Sequence, residues 1–79
     1  MNLQRMIRKD SYKLIIYPKI DKVLLFDMEQ DPNEMNDLAT QPQYKEKVST
    51  LFKDLMELQK TMNDSLDLQP TYEKVVGIP

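Results

Sequence analysis

The chain has no histidine, no cysteine, no tryptophan and a single glycine, Gly77, in 79 residues. Each absence closes a class of chemistry. Without cysteine there is no disulfide, no thiolate nucleophile and no Cys-based zinc site. Without histidine, the usual imidazole ligand and the side chain that titrates near neutrality are both missing. General acid–base work would then need a carboxylate or lysine strongly shifted by burial. The sequence shows no apolar pocket around a particular carboxylate. A phosphate-cradling loop needs several glycines, so that backbone N–H groups can approach the ligand, and one glycine cannot build it. The chain alone is therefore expected not to be an enzyme, and to hold no catalytic, cofactor-binding or metal-binding residue. Absence of cysteine fits reducing and oxidising surroundings equally, so the compartment stays open.

Long apolar runs are also missing. The longest, Leu14 to Tyr17 and Val23 to Phe26, fall far short of the ~20 residues that span a bilayer. Residues 1–10 carry Arg5, Arg8 and Lys9 but no apolar stretch after them, so they do not read as a signal peptide. If a parent protein is exported, its signal lies elsewhere. A net charge of −2 argues against a nucleic-acid partner, which favours a basic excess. Seventy-nine residues make one small domain, able to bury roughly 60% of its unfolded surface.

What is present is a strand-then-helix pattern. Leu3 to Lys9 reads as a first strand, and Asp10-Ser11 as a turn. Tyr12 to Tyr17 is β-branched and aromatic and reads as a strand ended by Pro18. Lys22 to Asp27 reads as the next, giving an antiparallel hairpin. Asp31-Pro32-Asn33-Glu34 has the form of a capping box and predicts a single helical turn. Thr40-Gln41-Pro42-Gln43 predicts the start of a long helix ending near Asn63. Along it, Tyr44, Val48, Leu51, Phe52, Leu55, Met56, Leu58 and Met62 recur at intervals that make one apolar stripe. Leu66 to Pro79 has no clear period and reads as a tail, with Val75-Val76 docked locally at most. The fold class is α+β: a small antiparallel sheet of two to three strands packed by one long C-terminal amphipathic helix.

The strands are apolar on both faces. In Tyr12 to Tyr17 one face carries Tyr12, Leu14 and Ile16, the other Lys13, Ile15 and Tyr17. In Lys22 to Asp27 one carries Val23 and Leu25, the other Leu24 and Phe26. A sheet with one wet face alternates more cleanly. One helix covers one face, so the second needs the tail, a second copy of the chain, or another domain.

The acidic run Asp27, Glu29, Asp31, Glu34, Asp37 does not make a calcium loop. An EF-hand starting at Asp27 needs glycine where Pro32 stands and glutamate where Leu38 stands. Arg5, Arg8 and Lys9 are the candidates for gripping a sulfate or phosphate, because guanidinium and ammonium groups match an oxyanion. A solvated strand or a structural ion pair is the simpler account of them. Met6, Met28, Met35, Met56 and Met62 could make an adaptable surface, but Met56 and Met62 fall at core spacing.

Taken in order, Arg5-Met6-Ile7-Arg8, Tyr12-Lys13-Leu14-Ile15, Leu25-Phe26-Asp27-Met28 and Asp31 to Ala39 resemble the C-terminal end of the sulfatases. That family pattern has an Arg-rich strand, a Tyr-Lys-Leu strand, a Leu-Tyr-Asp-Leu strand, Asp-Pro-x-Glu, Asn-Leu-Ala and a long helix. Phe26 stands where Tyr is usual, Met28 where Leu is usual, and Asp37 is inserted before Leu38. The resemblance spans roughly residues 3–66. It implies a division into residues 1–66, a sulfatase C-terminal-like subdomain, and 67–79, the tail. It also implies a parent that hydrolyses sulfate esters, with this segment packed beside a large α/β catalytic domain; in some family members it borders the substrate cleft, and Arg5, Arg8 and Lys9 are the residues that would do so here. The family's formylglycine, made from Cys or Ser in Cys/Ser-x-Pro-x-Arg, has no counterpart at Ser11, Ser49 or Ser65. The family's divalent metal, usually calcium, is bound outside this segment. The expected partner is the catalytic domain. A homodimer or a free-standing interaction module is the alternative.

Overall fold

The structure is a computed structural model, and it describes residues 3–77. Strands β1 (Arg5–Lys9), β2 (Tyr12–Tyr17) and β3 (Lys22–Asp27) form one antiparallel sheet in that order. Two helices follow, α1 (Lys45–Thr61) and α2 (Gln69–Val75).

Asp10 and Ser11 both adopt positive φ, 53° and 68°. Two such residues between paired Lys9 and Tyr12 make a tight hairpin loop whose twist matches that of the strands. The β2–β3 link is longer. Pro18–Ile20 form one 3-10 turn, and Asp21 closes it at φ 49°. The register pairs Ile7 with Leu14 and Leu14 with Leu25. One face therefore carries Arg5, Ile7, Lys9, Tyr12, Leu14, Ile16, Val23 and Leu25. The other carries Met6, Arg8, Lys13, Ile15, Tyr17, Lys22, Leu24 and Phe26.

After β3 the chain is held by carboxylates. Asp27 accepts from the N–H groups of Glu29 and Gln30 at 3.0 and 3.2 Å. Asp31 accepts from Met35 and Asn36 at 3.0 and 2.8 Å. The capping box read at Asp31 to Glu34 does not form a helix start. Glu34 sits at φ 56°, closes a turn on the Asp31 carbonyl and sends its carboxylate to Lys13, 3.2 Å away. Asp37 then shuts the outer edge of β3. Its Oδ1 accepts from Leu25 N–H at 2.9 Å, and Leu38 N–H donates to the Leu25 carbonyl at 2.8 Å.

Pro42 opens a 3-10 turn, Pro42–Tyr44, that runs into α1, and no side chain caps it. Its buried stripe is Val48, Leu51, Phe52, Leu55 and Gln59. Met62, read as core, is instead 69% exposed, because it stands past the last helical residue. The end of α1 is a left-handed cap. Asn63 takes φ 56°, its N–H donates to Lys60 O, and Asp64 N–H donates to Gln59 O at 2.9 Å.

Residues 67–79, read as a tail, contain α2. Leu68 is 2% exposed and Thr71 is buried. Pro70 looked like a breaker, but it occupies the first turn of α2, where its missing N–H costs nothing. Phe52 and Tyr72 meet edge to face at 5.2 Å and 78°. Thr71 Oγ1 and Lys74 Nζ donate to Asp21 at 3.0 and 2.9 Å, tying α2 to the β2–β3 turn. One core results: Leu14, Ile16, Val23 and Leu25 below, Leu38, Val48, Leu51, Phe52, Leu55 and Leu68 above, with Tyr72, Val75 and Val76 at its margin.

Candidate functional site

Both helices lie on one sheet face. Leu68 and Tyr72 of the α2 region join the same core as Val48 and Phe52 of α1. The C-terminal segment therefore does not close the second face, and among the described residues no helix covers it.

That open face is graded. Ile15 and Phe26 are nearly closed, at 8% and 5% exposed. Tyr17 and Leu24 are half-buried, and Leu3, Met6 and Ile20 are exposed. Met6, Ile15 and Leu24 stand in one row across the strands. At the β2–β3 turn, Leu3, Tyr17, Ile20 and Leu24 line an apolar groove of about 350 Å³, with Lys19 and Lys22 beside them. Both lysines are exposed.

The three cations singled out in the sequence are not brought together. Strand alternation puts Arg5 and Lys9 on the helix-covered face and Arg8 on the open one. Arg5 grips Asp64 with two hydrogen bonds, Nε at 2.6 Å and Nη2 at 3.1 Å. Asp64 also accepts from Leu66 N–H and Gln59 Nε2, each at 3.2 Å. These donors, Arg5 first, then the Leu66 amide and Gln59, hold the Asp64 carboxyl well below the usual carboxylate range. Lys9 pairs with Asp54 of α1 at 3.0 Å, and this pairing raises the lysine. Arg8 makes no hydrogen bond or ion pair among the described residues. Lys74, then Thr71, hold the Asp21 carboxyl down in the same way.

Sequence reasoning missed Asp64 and Asp21. The signal was absent, because Arg5 and Asp64 are 59 positions apart.

Among the described residues, no group of three or more His, Cys, Asp or Glu side chains is placed to hold a metal ion. The acidic run does not fit calcium: Asp27 and Asp31 turn carboxylate oxygens to backbone amides, and Glu34 is engaged by Lys13. Among the described residues, no helix is long and apolar enough to cross a membrane.

A three-stranded antiparallel sheet with both helices on one side makes an α+β domain. Residues 1–61 match the family model described as N-sulphoglucosamine sulphohydrolase, C-terminal, and the chain belongs to that family. The matched span runs from before β1 to the last residue of α1. Asp64 and α2 follow it. No curated protein matches the chain.

Proposed function

We propose that this chain is the non-catalytic C-terminal part of a sulfatase that hydrolyses sulfate esters. In this reading its open sheet face packs on the catalytic domain, as part of the same polypeptide or as a separate partner. The observation that carries it is the sheet itself: apolar on both faces, with both helices spent on one. An apolar face of this kind marks an interface. The nucleophile and the divalent metal belong to the catalytic domain. Of the three cations, Arg8 is the one whose guanidinium is unengaged among the described residues, so it is the residue to border the substrate site. Arg5 and Lys9 serve the fold.

The test is immunopurification from the source cells with an antibody against this chain. Sulfate release is then measured on a panel of O- and N-sulfated substrates. The purified material is expected to release sulfate, and recombinant residues 1–79 are expected to release none. Activity in the recombinant chain, or none in the native material, overturns the reading. The second reading, a homodimer through the same face, predicts a mass in sedimentation that doubles with concentration.

A further inference from the structure

The open face differs from the rest of the chain in charge. The molecule is net negative, at −2. The strand residues on this face are Met6, Arg8, Lys13, Ile15, Tyr17, Lys22, Leu24 and Phe26, by the register of the sheet. None of them is acidic. Glu34 reaches Lys13 at 3.2 Å. Arg8, Lys19 and Lys22 are exposed and have no ion-pair partner among the described residues. By contrast, Arg5, Lys9 and Lys74 each have an aspartate within 3.0 Å on the helix-bearing side. Arg8, Lys19 and Lys22 thus flank the partly exposed apolar strip of this face, while Lys45 and Lys53 of α1 are also exposed and have no ion-pair partner among the described residues.

We infer that the occupant of this face is a protein surface with an apolar centre and a rim of carboxylates, and not a second copy of this chain. This rests on the sulfatase reading and names the chemistry of its interface. Two arguments support it. A twofold contact between copies presents the same patch to itself, which would set Lys19 and Lys22 against a surface whose strand residues carry cations and no acid. Like charges juxtaposed in an interface disfavour it strongly. A carboxylate rim removes that repulsion and orients the partner. The groove at Leu3, Tyr17, Ile20 and Leu24 has the size and lining to take a large apolar side chain from the partner, with Lys19 and Lys22 meeting acids beside it.

The experiment is zero-length carbodiimide coupling, which joins a lysine amine to a carboxylate only in direct contact. It is applied to the endogenous protein in extracts of its source cells, and coupled peptides are mapped by mass spectrometry. Lys60 and Glu57, 3.1 Å apart, serve as the internal control. Lys19 and Lys22 are expected to couple to carboxylates outside residues 1–79. The Lys60–Glu57 product should form in the same sample. If the coupled carboxylates lie in a polypeptide unrelated to sulfatases, the carboxylate-rim inference stands and the sulfatase reading falls. If Lys19 and Lys22 couple only to this chain or to a second copy, or stay free while the control couples, the inference is overturned.

Discussion

Asp64 is the residue on which the most local structure converges. It terminates the cap of α1, takes two hydrogen bonds from Arg5 on the edge strand, and receives the Leu66 amide and Gln59. Its folded-state carboxyl is depressed, so its contribution is full above the unfolded value of about 3.9. It is lost as pH falls through the lower folded value. Asp64→Asn should lower the melting temperature at pH 7 and flatten the melting-temperature profile below pH 4. Asp64 lies 23% exposed beside Arg5 at 33%, so screening limits the effect, and 1 M salt should narrow the gap between variant and parent. Asp37 acts differently. It satisfies the N–H of Leu25, a residue with no exposed surface. Asp37→Ala should cost about 1–3 kcal/mol in urea denaturation, the penalty for a buried donor left unpaired. The family pattern gave Asp37 no role and counted it as an insertion. The structure gives it the closing of an edge strand. Neither role was legible, because both depend on a partner brought close only by folding.

Elements were legible in proportion to the length of their period. β2 and β3 are dense in β-branched and aromatic residues, and both were read with their observed bounds. α1 showed its stripe over several turns, and its extent was right to within a few residues at each end. α2 failed that test. Seven residues hold too little period to separate a helix from a loop, and Pro70 in its first turn mimicked a breaker. The same limit explains Gln59 and Met62. The stripe ends on the buried amide of Gln59, which donates to Asp64 and to the Leu66 carbonyl at 2.9 Å, while Met62 projects past the helix. The test of α2 is Leu68→Ala. A docked helix predicts a loss of about 2–5 kcal/mol, as for a buried leucine elsewhere. An unstructured tail predicts a change within about 0.5 kcal/mol. Thermal or urea unfolding separates the two.

At the scale of the whole molecule, the fold class was legible because the sequence changes period once, from strands to helix. The second apolar face, which no helix covers among the described residues, was legible for the same reason, since alternation in β2 and β3 left apolar residues on both sides. What the sequence did not show was the sorting of cations. Period two sends Arg5 and Lys9 to one face, where aspartates of α1 and its cap meet them, and leaves Arg8 on the other. If Arg8 borders a substrate site in the larger protein, Arg8→Gln there should raise KM for a sulfated substrate severalfold with the melting temperature unchanged. Arg5→Gln should lower the melting temperature and leave KM alone.

The central claim is that this domain works with a sulfatase catalytic domain, and the most direct measurement is its size in the cell. A denaturing immunoblot of the source cells, with an antibody against this chain, is predicted to show a band several times heavier than 9.4 kDa. A single band near 9.4 kDa, from protein that also sediments alone at every concentration, would contradict the account.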